Sequence, residues 1–246
     1  MAAGARAQAR DYWATSRSHR HSLLFALPLL LLYELLEVIA PIRASGGVVR
    51  NGADVLLTGL FSWMLGPRGP LVFMALVIGG ALWLIIRDRT GGPVRLGTLG
   101  AMLGESLLLA LIFGLVVGTA TAQLVGPLRA LAAGSGLDGG PLARLTLSLG
   151  AGLYEELLFR VVIVALLSQG LRLLGLGRVP SGVIAVVVGA LLFSAFHYIG
   201  PLGEPLQLES FVFRALAGLS FSALYLTRGF GITAWTHALY DVAVLL

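Results

Sequence analysis

The sequence predicts an all-α protein, a polytopic transmembrane bundle of about seven to eight helices. Three observations carry that expectation. Hydrophobic residues make up 57% of the 246 and charged residues only 12%, with a mean hydropathy of +0.91, which is more apolar surface than a soluble domain of this size buries. The apolar residues fall in runs close to the roughly 20 residues that cross a bilayer. Between the runs lie glycine, proline and arginine, which stop helices and are compatible with water.

The elements follow in order. Residues 1–21 form a basic amino-terminal segment with Arg6, Arg10, Arg17 and Arg20. The first run, 22–40, is too long for a removable secretory signal, contains Glu34 and Glu37, and has no small-residue cleavage site before the next basic residue. A short run, 53–65, opens on Arg50-Asn51-Gly52-Ala53-Asp54, a helix-capping pattern, and is expected to be re-entrant or interfacial. Longer runs follow at 70–86, 97–125, 142–168, 183–199, 209–227 and 230–246. Gly66-Pro67-Arg68-Gly69-Pro70, the stretch from Arg87 to Pro93 and the glycine-rich stretch from Gly134 to Pro141 separate several of them. Strict alternation is too weak for barrel strands, and no boundary divides residues 22–246, so a single transmembrane domain is expected. Small-residue pairs at Gly100/Gly104 and Gly114/Gly118 have the spacing that lets helix backbones approach.

Charge and cysteine content narrow the chemistry. All 17 basic residues are arginine, and they fall mostly between the runs, which fits topology signals and not nucleic-acid binding. With no cysteine, the chain has no thiol nucleophile, disulfide or iron–sulfur ligand.

Ionisable residues within apolar runs are costly and mark working sites by default. Tyr154-Glu155-Glu156-Leu157-Leu158-Phe159-Arg160 places two carboxylates and a guanidinium in one such run. Residues four apart share a helical face, so Glu156 lies over Arg160 while Glu155 points elsewhere, free to face a cavity as an unpaired carboxylate. His197 follows Phe193 by four residues near the end of its run. His237 and Asp241, also four apart, can form a pair in which the carboxylate orients the ring. Singly, each has an ordinary structural reading: a helix-end histidine, a bracing pair, or acids that pair with arginines such as Arg214. Three such groups in three apolar segments point to one intramembrane centre. Glu34 and Glu37 are expected to line an access cavity or to pair with Arg160 or Arg214, and Glu105 has no evident partner. Ser194 and Ser220 lack the Gly-x-Ser-Gly setting of a serine nucleophile.

Glu155-Glu156-x-x-x-Arg160, Phe193-x-x-x-His197 and His237-x-x-x-Asp241 resemble the three ordered motifs of the CAAX protease and bacteriocin-processing (Abi) family of intramembrane endopeptidases, over residues 150–246. The resemblance implies hydrolysis of a peptide bond in a membrane-anchored protein or peptide. In that scheme Glu155 and His197 activate water, His237 with Asp241 stabilises the oxyanion, and Glu156 and Arg160 give structural support. Eukaryotic prenyl-protein members carry asparagine where this chain has Asp241, which cannot donate when ionised. The likeness is therefore to bacterial members, and an integral protein of the bacterial inner membrane is expected, with the lipid bilayer as its surroundings. A glutamate-dependent mechanism without cofactor is favoured. If zinc takes part instead, Glu155, His197 and His237 are its ligand set, although no His-Glu-x-x-His helix is present. A proton-coupled transporter or an immunity or assembly factor is the non-enzymatic alternative. Transport predicts two related halves, and the sequence shows no such repeat.

Overall fold

The computed structural model describes residues 11–44, 47–125, 140–200 and 203–245. Residues 11–17 are helical and lead into α1 (His19–Ile39). A small hairpin of β1 (Ile42–Ala44) and β2 (Gly47–Val49) precedes α2 (Gly52–Leu65), α3 (Gly69–Arg87) and α4 (Leu96–Val125). Helix α5 occupies residues 140–173, followed by α6 (Arg178–Phe196), α7 (Leu208–Arg228) and α8 (Phe230–Leu245). All seven expected spans and the short eighth run are helical. The expected loop from Gly134 lies mostly outside the described residues.

Three local features depart from the sequence reading. The antiparallel hairpin pairs Ile42 with Val49 and Ala44 with Gly47, and it delivers the chain to Arg50. Its strands are too short to give an alternating signal. The break after α2 is not an open loop but a tight turn, with Gly66 at φ 64°, a 3₁₀ turn Gly66–Arg68, and α3 folding straight back. Gly69 lies against the backbone of Phe61 and Ser62, and the Phe61 and Phe73 rings sit 5.3 Å apart. Only a residue without a side chain fits there. Five stretches are long and apolar enough to cross a membrane: His19–Ile39, Gly52–Arg87, Leu96–Val125, Arg178–Phe196 and Leu208–Arg228. The second of these is the folded-back α2–α3 pair. At 14 residues α2 is about 21 Å long, short of the roughly 30 Å hydrocarbon core.

The third departure is in α5, which is not a regular α-helix. Ordinary turns at Gly140–Gly150 and Ala165–Leu173 flank π-helical stretches at Ala151–Glu155 and Leu157–Val164. Such wide turns occur frequently at functional sites. Here they carry the Glu155-Glu156-x-x-x-Arg160 motif.

Lipid tails are as apolar as leucine, so close packing and internal hydrogen bonds, not burial of oily surface, hold helices together in a bilayer. Leu107, Leu111 and Leu115 of α4 are each more than half exposed, a lipid-facing stripe one turn apart. The inner faces carry small residues. A Cβ on Gly152 would meet the Ala234 carbonyl and lie 2.6 Å from the Ala238 Cβ, so α5 and α8 touch backbone to backbone. Gly218 of α7 packs in the same way on Ala190 of α6, and Gly231 of α8 on Ser22 of α1. The expected pairs on α4 do not act like this. Gly100, Gly104 and Gly118 face open space, and Gly114 receives only the edge of the Tyr240 ring. Spacing marked candidates, but the bundle placed its close contacts on α5, α7 and α8. An aromatic core of Tyr33, Tyr154, Phe159, Phe193 and Phe221 fills the centre.

Candidate active site

Glu155 and Glu156 are buried, 7% and 0% exposed, and their neighbourhoods differ. Glu156 Oε1 accepts a hydrogen bond from His237 Nδ1 at 2.7 Å. It also lies 3.2 Å from Arg160 Nη1, within ion-pair distance but off the hydrogen-bond line. Arg160 in turn donates from Nη2 to the Gly218 carbonyl at 3.3 Å and lies over the Phe193 ring, 4.6 Å from its centroid. Glu156 and Arg160 thus lie side by side, as the four-residue spacing implied, and Glu156 also contacts His237.

Glu155 faces the other way. Its Oε1 accepts from the Asn51 side-chain amide at 3.0 Å. Its Oε2 is buried, has no hydrogen-bond partner among the described residues, and lies 3.9 Å from His197 Nε2. Helix α6 stops at Phe196, one residue before His197, which caps it. There the imidazole turns back, with Nδ1 2.9 Å from the Phe193 carbonyl. A carbonyl only accepts, so Nδ1 carries the proton, and when the ring is neutral its Nε2 lone pair faces Glu155.

His237 of α8 is 4% exposed, stacked on Phe221 with centroids 4.4 Å apart and edge-on to Phe193 at 6.0 Å. Here the expected orienting pair needs correction. Asp241 Oδ2 lies 3.7 Å from His237 Nε2, beyond hydrogen-bond length, and Glu156 fixes the ring through Nδ1. Helical spacing could place residue 241 beside the ring but could not reveal a closer carboxylate on another helix.

A partly open cavity of about 300 Å³ borders Glu155, His197, His237 and Asp241 together with Asn51. Three ion pairs flank it: Arg50 with Glu34 and with Asp54, and Arg214 with Glu204 at 2.7 Å. The expected partners of Glu34 are therefore replaced. It binds Arg50 at 3.0 Å and accepts from the Tyr154 hydroxyl at 2.6 Å, while neither Glu37 oxygen has a hydrogen-bond partner among the described residues. Glu105 does have partners, Arg228 and Tyr12. Ser194 donates its hydroxyl to the Phe211 carbonyl at 2.7 Å, in keeping with a structural serine.

Among the described residues no three of His, Cys, Asp and Glu converge closely enough to hold an ion. His237 Nδ1 is already committed to Glu156. With His197 Nδ1 likewise on the Phe193 carbonyl, Nε2 is the nitrogen of each ring that a zinc ion with Glu155, His197 and His237 as ligands would use.

Sequence reasoning misses Asn51. Its segment reads as a helix start, which it is, since the Asn51 carbonyl oxygen Oδ1 accepts from the Ala53 N–H at 2.9 Å. Nothing in the local pattern signals that the other end of the same amide reaches a carboxylate 104 residues away.

A sequence profile of the family described as type II CAAX prenyl endopeptidase, Rce1-like, matches residues 139–243, a little under half of the chain. That stretch holds all three motifs. Neither a curated protein nor a solved structure matches. This carboxyl-terminal stretch, which also carries most of the residues around the cavity, is thus similar to the CAAX protease family.

Proposed function

We propose that the protein is an intramembrane endopeptidase that hydrolyses a peptide bond of a membrane-anchored protein or peptide, with Glu155 and His197 sharing the attacking water. One observation carries this reading. Two acceptors, Glu155 Oε2 and His197 Nε2, face each other across 3.9 Å at the wall of a cavity. They cannot satisfy one another. A water molecule, with two O–H donors, satisfies both, and each acceptor draws on one of its protons.

In this mechanism the water oxygen attacks the scissile carbonyl and passes a proton to Glu155. The proton then goes to the leaving amine, so that the peptide bond is exchanged for a carboxyl and an amino group with no net change in the enzyme. Negative charge grows on the carbonyl oxygen as the tetrahedral intermediate forms. His237 is placed to meet it. Its Nδ1 is held by Glu156, so a doubly protonated ring offers Nε2–H toward the cavity while the Glu156 carboxylate balances its charge. Asp241 borders the same cavity and supplies a further donor only when protonated. Arg160, over Phe193 and beside Glu156, keeps the ring and the carboxylate in register. The metal-independent reading rests on the two-acceptor geometry, and loss of activity to a strong chelator with recovery in Zn²⁺ would overturn it.

The test works whatever the substrate is. Membranes containing equal amounts of wild-type or Glu155→Gln protein are compared for every peptide released from membrane-anchored proteins. Peptides released only by the wild type support the proposal. Identical peptide sets from both membranes would overturn it.

A further inference from the structure

The family match begins at residue 139, yet one side chain from the opposite end of the chain touches the proposed general base. We infer that Asn51 is a positioning residue for Glu155, selecting which carboxylate oxygen faces the water. This inference rests on the proposed function, because it assigns Oε2 its task.

Asn51 is 6% exposed and has both ends of its amide engaged. Which end is oxygen follows from chemistry and not from shape. The Ala53 N–H can only donate, so the end 2.9 Å from it is the oxygen. The other end is then NH₂, 3.0 Å from Glu155 Oε1, where a carboxylate needs a donor. One orientation of the amide satisfies the helix start and the carboxylate together, and the flipped orientation fails both. The backbone beneath is held as well. The Asn51 N–H donates to the Tyr33 hydroxyl at 3.2 Å, and that hydroxyl donates to Asp54 at 2.9 Å, which in turn pairs with Arg50.

The surrounding packing fits this contact. A Cβ on Gly150 of α5 would lie 2.6 Å from the Tyr33 ring and 2.8 Å from the Asn51 Cβ, so the bare glycine lets α5 approach Asn51 just before Glu155. With Oε1 tied down, the Glu155 carboxylate cannot rotate freely. Oε2 is left as its only oxygen without a hydrogen-bond partner among the described residues, and it is the one beside His197. Asn51 therefore acts through Glu155 and does not itself reach the reacting atoms.

Serine separates the two jobs of Asn51. It caps helices about as well as asparagine, but its short hydroxyl, occupied by the Ala53 N–H, does not reach Glu155. In infrared difference spectra of the full-length protein in detergent, wild type minus Glu155→Gln isolates the Glu155 carboxyl band. Asn51→Ser should shift that band in protein that stays folded, with a drop in melting temperature no larger than one lost hydrogen bond accounts for. With a fluorogenic farnesylated peptide ending in a CAAX sequence as reporter, Asn51→Ser should lower kcat about 10- to 100-fold at constant KM, the range expected for one hydrogen bond to a charged group. Asn51→Asp keeps the cap but sets a second carboxylate against Glu155, and should lower kcat further. An unchanged carboxyl band in Asn51→Ser overturns the inference. So does a loss of kcat that appears in Asn51→Ser and Asn51→Asp only in step with lowered melting temperature. If Glu155→Gln keeps full activity while Asn51→Ser still shifts the band, the proposed function fails and the positioning contact stands.

Discussion

Two charge clusters in this bundle each centre on a glutamate set in an apolar run, and they differ in geometry. Beneath the amino-terminal helical segment, Glu105 of α4 uses both oxygens on protein donors: Oε1 on Arg228 Nε, and Oε2 on Arg228 Nη2 at 2.7 Å and on the Tyr12 hydroxyl. Arg228 also binds Ser16 at 2.9 Å and lies 3.9 Å from the Trp13 ring centroid. That cluster is closed, and its carboxylate has no free oxygen to offer a substrate. At Glu155 one oxygen is held by Asn51 and the other faces an acceptor across a cavity. The difference shows that charge inside an apolar run marks importance without saying of what kind. A free acceptor directed into a cavity distinguishes chemistry from bracing.

Substitutions can break this comparison. The largest expected effect is on activity at the open cluster: Glu155→Gln should lower kcat by about 10³-fold or more, within the range of general-base loss, with no change in melting temperature. His237→Ala should cost about 10²- to 10³-fold in kcat, as for removal of an oxyanion donor, and reporter turnover checks it. At the closed cluster the pattern should reverse. Arg228→Leu strands Glu105 and should destabilise the protein by about 2 kcal/mol or more, visible as a lowered melting temperature, while kcat per folded molecule stays the same. Asp241→Asn sharpens the comparison further. Because its carboxylate is 3.7 Å from His237 and does not orient the ring, the change in kcat should stay within about tenfold.

The smallest expected effect is an acid-stability change at the end of α3. Asp88 accepts from the Thr90 hydroxyl at 2.6 Å and the Thr90 N–H at 3.0 Å, and from the His19 N–H at 2.7 Å at the start of α1. Thr90 above all, then these backbone donors, hold its carboxyl well down, at about 2. A carboxyl held below its unfolded value of about 4 adds stability that is full above that value and is lost as pH falls toward 2. Melting temperatures between pH 5 and pH 2 should therefore fall less steeply in Asp88→Asn than in the wild type.

Much of the fold was legible because it is written in long apolar runs. The helices begin and end within a few residues of the composition breaks, and Glu155, His197 and His237 stand out because each sits in such a run. What escaped depends on contacts between segments. Short hairpin strands give no periodic signal, and the π-helical turns of α5 arise from packing that propensities do not encode. The Arg50–Glu34 pair and the Asn51–Glu155 contact join residues 16 and 104 positions apart. Asp241 shows the limit of the four-residue rule: it lies beside His237 Nε2 at 3.7 Å, within ion-pair distance but beyond hydrogen-bond length, while Glu156, from another helix, hydrogen-bonds Nδ1.

The central claim is that Glu155 and His197 work on a single water molecule, and a double-substitution cycle tests it most directly. Release of a peptide that wild-type membranes liberate and Glu155→Gln membranes do not is measured as a rate for Glu155→Gln, His197→Ala and the two combined, each checked for folding by melting temperature. Groups that act as one unit lose their effect together, so the double variant should be no slower than the slower single one by more than about threefold. Losses that multiply in the double variant would show two independent contributions and would contradict the shared water.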